Sequence, residues 1–428
     1  MVTLAEQHDF NVSPGPLFEG AEALPATAPA TCPARLIAYY LPQFHPVAVN
    51  DAAWGAGFTE WTNATKAIPR FVGHYQPRLP ADLGFYDLRS ADVLRRQAEL
   101  AQRGGIYGLC IHNYWFNGQR VLETPLEVLL ANPDIELRFC LNWANESWSR
   151  RWDGSEHDVL LEQQYSPEAD IAYAESLIPA VSDRRYIRVE GRPLVMIYRP
   201  DILPDARATV ERWREVFVRR GVGDPYVVMS EAFDNGDPRP GGFDATVGFP
   251  PHKFFQGGGS VRVRRLDPLY RGGAKSYPRL VEDAIAAMPK DYPFHPGVCP
   301  GWDNEARKPR RGTSFYGSTP ALYGRWLRAA AGYAMSTPEP DRRIVFINAW
   351  NEWAEGAYLE PDRHYGYAYL AETARALASL SGQASSSGVE LERQLPRRFQ
   401  TRENELHALL NRTWTVARRL RAAVRRTG

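Results

Sequence analysis

From Arg35 to Leu380 the chain alternates short apolar runs with longer amphipathic ones, and this alternation narrows the choice of fold more than any other feature. The apolar runs are LIAYYL, IYGLCIHNYW, ELRFCLNWA, PLVMIYRP, PYVVMSEAF, FDATVGF, FHPGVCPGW and RIVFINAW. Most are separated by helix-like stretches such as SADVLRRQAELAQRGG, LETPLEVLLAN, TVERWREVFVRRG, PRLVEDAIAAM, LYGRWLRAAAGYA and YGYAYLAETARALASL. Strands that alternate with helices pair in parallel through right-handed crossovers. The runs are apolar throughout instead of every second residue, as strands covered on both faces are. Eight such units predict a (β/α)8 barrel of the TIM type. The competing doubly wound sheet announces itself by a Gly-rich phosphate turn after its first strand; here that strand runs into LPQFHPVAVND.

The barrel is expected over residues 35–380, with appendages on both sides. Residues 1–34, rich in Ala, Pro and Gly without period, read as a flexible lead-in. SGQASSSG, within residues 381–388, reads as a linker. Residues 389–428 read as a basic helical tail, carrying six Arg and no acid from position 412 onward. A solvated or partner-packed helix and a peripheral contact with anionic lipid at the inner membrane both suit it. Fifty-one basic against fifty acidic side chains leave a net charge of +1, which gives no global field for nucleic acid. The four cysteines, Cys32, Cys110, Cys140 and Cys299, form no C-x-x-C pair and have no His at zinc spacing. Neither a metal nor another cofactor is expected. The first residues lack the charge-then-apolar order of a secretory signal, and no stretch reaches a membrane span, so the expected location is cytoplasmic.

In a (β/α)8 barrel the chemistry stands just past the C-terminal ends of the strands. The first strand yields Tyr39, Tyr40 and His45, then a long loop with Glu60 and Trp61; the second yields His112, Asn113, Tyr114 and Trp115. The third gives Asn142, Trp143, Glu146 and Trp148, the seventh Trp302 and Asp303, and the eighth NAWNEWAEGAYLEPD with Asn351, Glu352, Trp353 and Glu355. Nine of the twelve tryptophans fall in these regions (54, 61, 115, 143, 148, 152, 302, 350 and 353), where core packing alone would scatter them. Aromatic faces among Asn, Asp, Glu and His suit a pyranose, whose C–H faces stack while its hydroxyls need fixed donors and acceptors. The expected partner is therefore an oligosaccharide or polysaccharide. Glu352 and Glu355, beside tryptophan, either form structural ion pairs or supply the two carboxyl groups of glycosyl transfer. Such acids usually come from different strands, so a three-residue spacing suits action on adjacent positions of one sugar. No D-x-D, P-loop or dinucleotide fingerprint is present. A glycan-binding barrel without catalysis is the alternative; it would tolerate loss of both acids.

Seven segments in order, YYLPQFHP, GFTEWTN, GHYQPRLPADLGFYDLR, HNYWF, NWANESWSRRWDG, PGWDNEARKPRRG and NEWAEGAYLEPD, resemble the WbsX-type proteins of bacterial surface-polysaccharide gene clusters. That family is similar to the family 99 glycoside hydrolases, the endo-α-mannosidase and endo-mannanase barrels. The resemblance covers roughly residues 35–375. It implies an enzyme that transfers or hydrolyses glycosyl units of surface polysaccharide, such as O-antigen or its lipid-linked precursor. On NEWAEG it implies that Glu352 is the base for the substrate 2-hydroxyl, which attacks its own anomeric carbon, and that Glu355 is the acid for the leaving group. The outcome implied is retention through a 1,2-anhydro sugar.

Overall fold

The computed structural model describes residues 2–28, 32–150, 155–232, 236–257, 259–288 and 290–381. The eight apolar runs form nine parallel segments: β1 (Arg35–Tyr40), β2 (Ile106–Phe116), β3 (Phe139–Trp143), β4 (Arg192–Ile197), β5 (Tyr226–Glu231), β6 (Ala245–Gly248), β7 (Phe294–His295), β8 (Gly297–Val298) and β9 (Ile344–Ile347). Their hydrogen-bonded order is β7-β6-β5-β4-β3-β2-β1-β9-β8. The two ends of that order, β7 and β8, are one run of chain divided by Pro296, so the sheet returns on itself as a barrel with eight strand positions.

Proline has no N–H to give a ladder, and the run changes partner there. Phe294 and His295 pair with Thr246 and Val247, whereas Gly297 and Val298 pair with Phe346 and Ile347. A side chain cannot fit at this closure: a Cβ on Gly297 would lie 2.0 Å from the Gly248 carbonyl oxygen. The strands are almost wholly buried, as their unbroken apolar runs require. Each buried aliphatic side chain contributes about 1.5–3 kcal/mol relative to exposure.

The helices are α1 (Leu4–Val12), α2 (Ala48–Trp54), α3 (Glu60–Lys66), α4 (Ala91–Arg103), α5 (Thr124–Ala131), α6 (Pro167–Val181), α7 (Ala206–Arg219), α8 (Tyr277–Ala286), α9 (Pro320–Met335) and α10 (Ala368–Leu380). The connection from β5 to β6 is shorter, and its described residues include a 3₁₀ turn at Arg239–Gly241. Among the described residues no helix is long and apolar enough to cross a membrane.

Two sequence expectations need correction. The first is the flexible lead-in. Residues 4–12 are helical, started by a reciprocal capping box between Thr3 and Glu6. This helix is pinned to the barrel by amides: Asn11 Nδ2 donates to the carbonyls of His74 (2.6 Å) and Gln76 (2.9 Å), and Gly73 N donates to Gln7 Oε1. Farther on, Glu19 ion-pairs with Arg375 of α10. Composition concealed a segment held by polar anchors in place of an apolar stripe. The second is the loop after β1, where GFTEWTNATKA builds α3 and presents Glu60 from its first turn. The basic tail and nearly all of the Ser/Gly linker lie outside the described residues.

Candidate active site

Side chains alternate across a strand, and that decides which candidate residues can meet a ligand. Tyr39 points into the barrel, with Met196, Phe249, Phe346 and His112 around it. Tyr40 points out, and its hydroxyl donates to Gln97 Oε1 of α4 at 2.8 Å. On β2 and β3, His112 and Asn142 meet on one face, Asn142 Nδ2 donating to His112 Nδ1 at 3.1 Å. Their neighbours Trp115 and Trp143 both pack on Tyr173 of α6, Trp143 stacked at 4.4 Å between centroids. Tyr40, Trp115 and Trp143 are therefore shell residues and not sugar platforms. Counting tryptophans near strand ends had merged two opposite faces.

After β9 the chain turns back at once. Asn351 and Glu352 pair antiparallel with Tyr358 and Ala357 around the 3₁₀ turn Trp353–Glu355. Gly356 ends that turn at φ +60, a left-handed conformation open to glycine. A Cβ there would also meet Arg78 Nε at 2.8 Å. Asn351 fixes the turn to the end of β1, accepting from Leu41 N (2.8 Å) and donating to Leu41 O (3.0 Å). Behind it stands Glu360, 2% exposed. Its carboxylate accepts from the indoles of Trp350 (2.9 Å) and Trp353 (2.7 Å), from Gln97 Nε2 (2.6 Å) and from the Tyr86 hydroxyl (2.8 Å). Burial raises its pKa to about 7, against the pull of these four donors. Trp353 and Trp61 belong to this support: Trp61 Nε1 donates to Tyr86 O, and the two rings lie 5.5 Å apart.

The two acids of the turn converge on Arg307. Its Nη2 donates to Glu352 Oε2 at 2.8 Å, and its Nη1 lies 2.7 Å from Glu355 Oε1. Its Nε donates to Glu60 Oε1 at 2.7 Å, while the other oxygen of Glu60 accepts from Gln43 Nε2 at 2.9 Å. Glu60 is fully buried, with one carboxylate oxygen on Arg307 and the other on Gln43. Three carboxylates share one guanidinium. Burial raises the pKa of both Glu352 and Glu355 above the ordinary carboxylate value, Arg307 opposes the rise, and Glu60 adds to it; Glu352 reaches about 8. His112 is held neutral, its pKa lowered to about 4 by burial and by Arg307. Since Asn142 donates to Nδ1, the proton of this neutral ring sits on Nε2.

Arg307 is itself held rigidly. Asp303 N donates to the Glu355 carbonyl at 2.6 Å, and Asp303 caps the 3₁₀ turn Asn304–Ala306 that precedes Arg307. The other Asp303 oxygen pairs with His74 Nε2 at 2.6 Å, and Glu305 pairs with Arg70 at 2.5 Å. Asp303 therefore positions the site from behind. Burial pushes the pKa of the Tyr114 hydroxyl up and the charge of Glu352 adds to the rise, while Trp148 packs edge-on against the Tyr114 ring at 5.1 Å. Trp302 packs on His252, 5.5 Å between centroids. Asn113 contributes a carbonyl to Ala144 N. Glu146 ion-pairs with Arg199, and His45 is buried with Nδ1 on the Pro42 carbonyl. Trp152 lies outside the described residues. Sequence reading singled out neither Arg307 nor Glu360. A basic residue inside the acid-bearing segment PGWDNEARKPRRG, and a third Glu ending NEWAEGAYLE, were the available signals.

The model of the family Glycosyltransferase WbsX matches residues 36–373. The protein WxcX, in two strains of Xanthomonas campestris pv. campestris, is 46% identical over 349 residues, which are 82% of this chain and 50% of the relative. The chain thus spans about half the length of the curated relatives it matches. Among solved structures, the GH99 endo-alpha-mannosidase from Bacteroides thetaiotaomicron superimposes with a TM-score of 0.52 at 15% identity, covering 82% of this chain and 98% of that one. A structure titled glycoside hydrolase-like protein gives 0.50 at 14% identity over 84% and 98%. These likenesses are of fold.

Proposed function

Because the chain belongs to the WbsX glycosyltransferase family, we propose that it is a retaining carbohydrate-active enzyme. It transfers or hydrolyses a glycosyl unit of a bacterial surface polysaccharide, such as O-antigen or its lipid-linked precursor, with Glu352 and Glu355 as its two acids. The observation that carries this reading is the convergence of both acids on Arg307 at the C-terminal end of the barrel.

With three carboxylates on one cation in a buried site, full ionisation would leave two uncompensated negative charges, so the cluster keeps a proton at neutral pH. Burial favours the protonated form of both acids, so either can carry that proton. Substrate redistributes it. A sugar 2-hydroxyl can donate, which favours ionised Glu352; a glycosidic oxygen can only accept, which favours protonated Glu355. Glu352 then takes the 2-hydroxyl proton as that oxygen bonds to the anomeric carbon. The bond to the leaving group breaks, and its oxygen takes the proton of Glu355. In the second half Glu355 removes a proton from the acceptor, water or a glycan hydroxyl, as the acceptor attacks the anomeric carbon and the 1,2-anhydro ring opens. Glu352 returns its proton to the 2-oxygen. Two displacements at one carbon give net retention. Tyr39, Tyr114, the His112 Nε2–H and Asn142 line the sugar side of this reaction.

Defined oligosaccharides, assayed in parallel for reducing ends released and for chains extended, separate hydrolysis from transfer. Glu355→Gln should lose about 10²- to 10⁴-fold on a natural glycoside but far less on an activated aryl glycoside, which departs without a proton. Glu352→Gln should disable both substrates alike, and a 2-deoxy substrate should reproduce its effect in the unaltered enzyme. Equal losses for both variants on both substrates would overturn the assignment.

A further inference from the structure

The loop that carries Arg307 also carries a set of cations that the reaction does not use. Lys308, Arg310 and Arg311 follow it directly, and all three are exposed. Beside them runs residues 259–273, with Arg262, Arg264, Arg265 and Arg271, again all exposed. Backbone hydrogen bonds join the two segments. Arg271 N donates to Arg310 O at 2.8 Å, and Gly273 N donates to Gly312 O at 3.0 Å, leading into the parallel pairing of Gly273–Ser276 with Thr313–Tyr316. A third segment is tied in through Val72 N on Arg264 O and Leu266 N on Arg70 O, both at 2.9 Å.

Side-chain direction within this patch follows from sequence. V-R-V-R at 261–264 alternates, and Val261 and Val263 pack against a small separate cluster of Phe71, Tyr270, Ala274 and Tyr316. Arg262 and Arg264 therefore share the opposite, outer face, about 7 Å apart along the chain. The acids of the region are already committed: Asp267 pairs with Arg70 and Arg310, and Glu305 with Arg70. Among the described residues Arg262, Arg264, Arg265, Arg271, Lys308 and Arg311 have no carboxylate within ion-pair distance, in a chain whose total charge is only +1. The patch adjoins the two acids, since Lys308 directly follows Arg307, whose guanidinium pairs with both Glu352 and Glu355.

We propose that this basic rim binds the anionic groups of an acidic glycan, so that the substrate of the site is a polysaccharide carrying fixed negative charge on its sugars. The inference rests on the reading of the neighbouring site as glycan-processing. Arginine dominates the rim, and its planar fork matches carboxylate and phosphate oxygens in two-point contacts. The cations are spread over an irregular segment, residues 262–271, and a turn, residues 308–311, instead of gathered at one point. That distribution suits a chain with repeated charges better than a single phosphate. One sign of charge beside a cleft raises the encounter rate with an oppositely charged ligand by about 10- to 10³-fold, and salt removes the gain.

The test is binding, measured on the full chain with the double variant Glu352→Gln/Glu355→Gln so that turnover plays no part. Oligogalacturonate, inorganic pyrophosphate, and vesicles of phosphatidylglycerol are compared with neutral dextran oligomers as probes. Oligogalacturonate should bind in a salt-sensitive manner, and adding R262Q, R264Q, R271Q and R311Q should weaken it at least tenfold with no change in melting temperature. Binding of pyrophosphate or of vesicles without oligogalacturonate would overturn the proposal in favour of a diphosphate or a membrane surface. Binding of none, or binding unaffected by the four substitutions, would overturn it outright. Failure of the catalytic reading appears elsewhere, as retained activity in the double variant, and leaves this measurement intact.

Discussion

Glu352 and Glu360 lie eight residues apart on one turn, are both buried, and are both pushed toward neutral pKa, yet their surroundings are opposite in kind. Glu360 is met by four neutral donors, two from its own turn segment (Trp350 and Trp353) and two from outside it (Gln97 and Tyr86), and among the described residues no cation pairs with it. Glu352 shares a single cation with Glu355 and Glu60. A carboxylate saturated with fixed donors has one acceptable arrangement and acts as a brace. A carboxylate competing with two others for one guanidinium sits in a site with more than one acceptable proton distribution, which is the requirement for acid–base work.

The sharpest way to break this contrast is to swap the consequences. Glu352→Gln should cost about 10²- to 10⁴-fold in activity while stability, followed by chemical denaturation, stays level or rises, because a carboxyl whose burial already disfavours its ionised form is replaced by a neutral amide of the same shape. A large loss of stability would make Glu352 a brace after all. Glu360→Ala should do the reverse first: with four buried donors left unpaired, stability should fall by roughly 3–5 kcal/mol. Arg307→Gln is expected to cost about 3 kcal/mol or more by leaving buried acids without their cation. Lowering the pH, which protonates them, should recover part of that loss.

Smaller still is the pH response of the unaltered protein. An acid whose pKa is higher folded than unfolded binds more protons when folded, so its contribution to stability is complete below its unfolded value and declines as pH rises. For Glu352 that decline runs from about 4.5 to about 8, and Glu360 adds to it up to about 7. Denaturation midpoints should fall across this window, and Glu352→Gln should flatten the fall. Least of all, Tyr40→Phe, which removes one hydrogen bond between β1 and α4, should cost about 1 kcal/mol in stability and leave activity unchanged.

The barrel was legible because periodicity reports which residues are buried, and the eight runs recur as strands. The same periodicity, applied one step further, would have separated Tyr39 from Tyr40 and His112 from Trp115; proximity to a strand end was used where direction was needed. The three-carboxylate arrangement was hidden for another reason. Glu60, in the first turn of α3, and Arg307, in the loop after β8, stand 247 positions apart, and only closure of the barrel makes them neighbours. The helix α6 went unread because Pro179 sits inside it and no amphipathic stripe marks it. Thr3 and Glu6 did spell a helix start, which the Ala- and Pro-rich composition around them obscured.

Pro296 has a mechanical consequence. At every other position around the barrel a strand holds both neighbours along the same stretch, but the interrupted run grips β6 with one pair of residues and β9 with the next. The ring is closed by a staggered clasp, and it is there that amide protons of the barrel wall should exchange earliest with solvent deuterium. Thr246 and Phe346, whose N–H groups donate to the carbonyls of Pro293 and Pro296, would report the opening. Because β8 leads directly into the segment that holds Arg307, a transient parting of the clasp would loosen the charged cluster before any other part of the wall gave way.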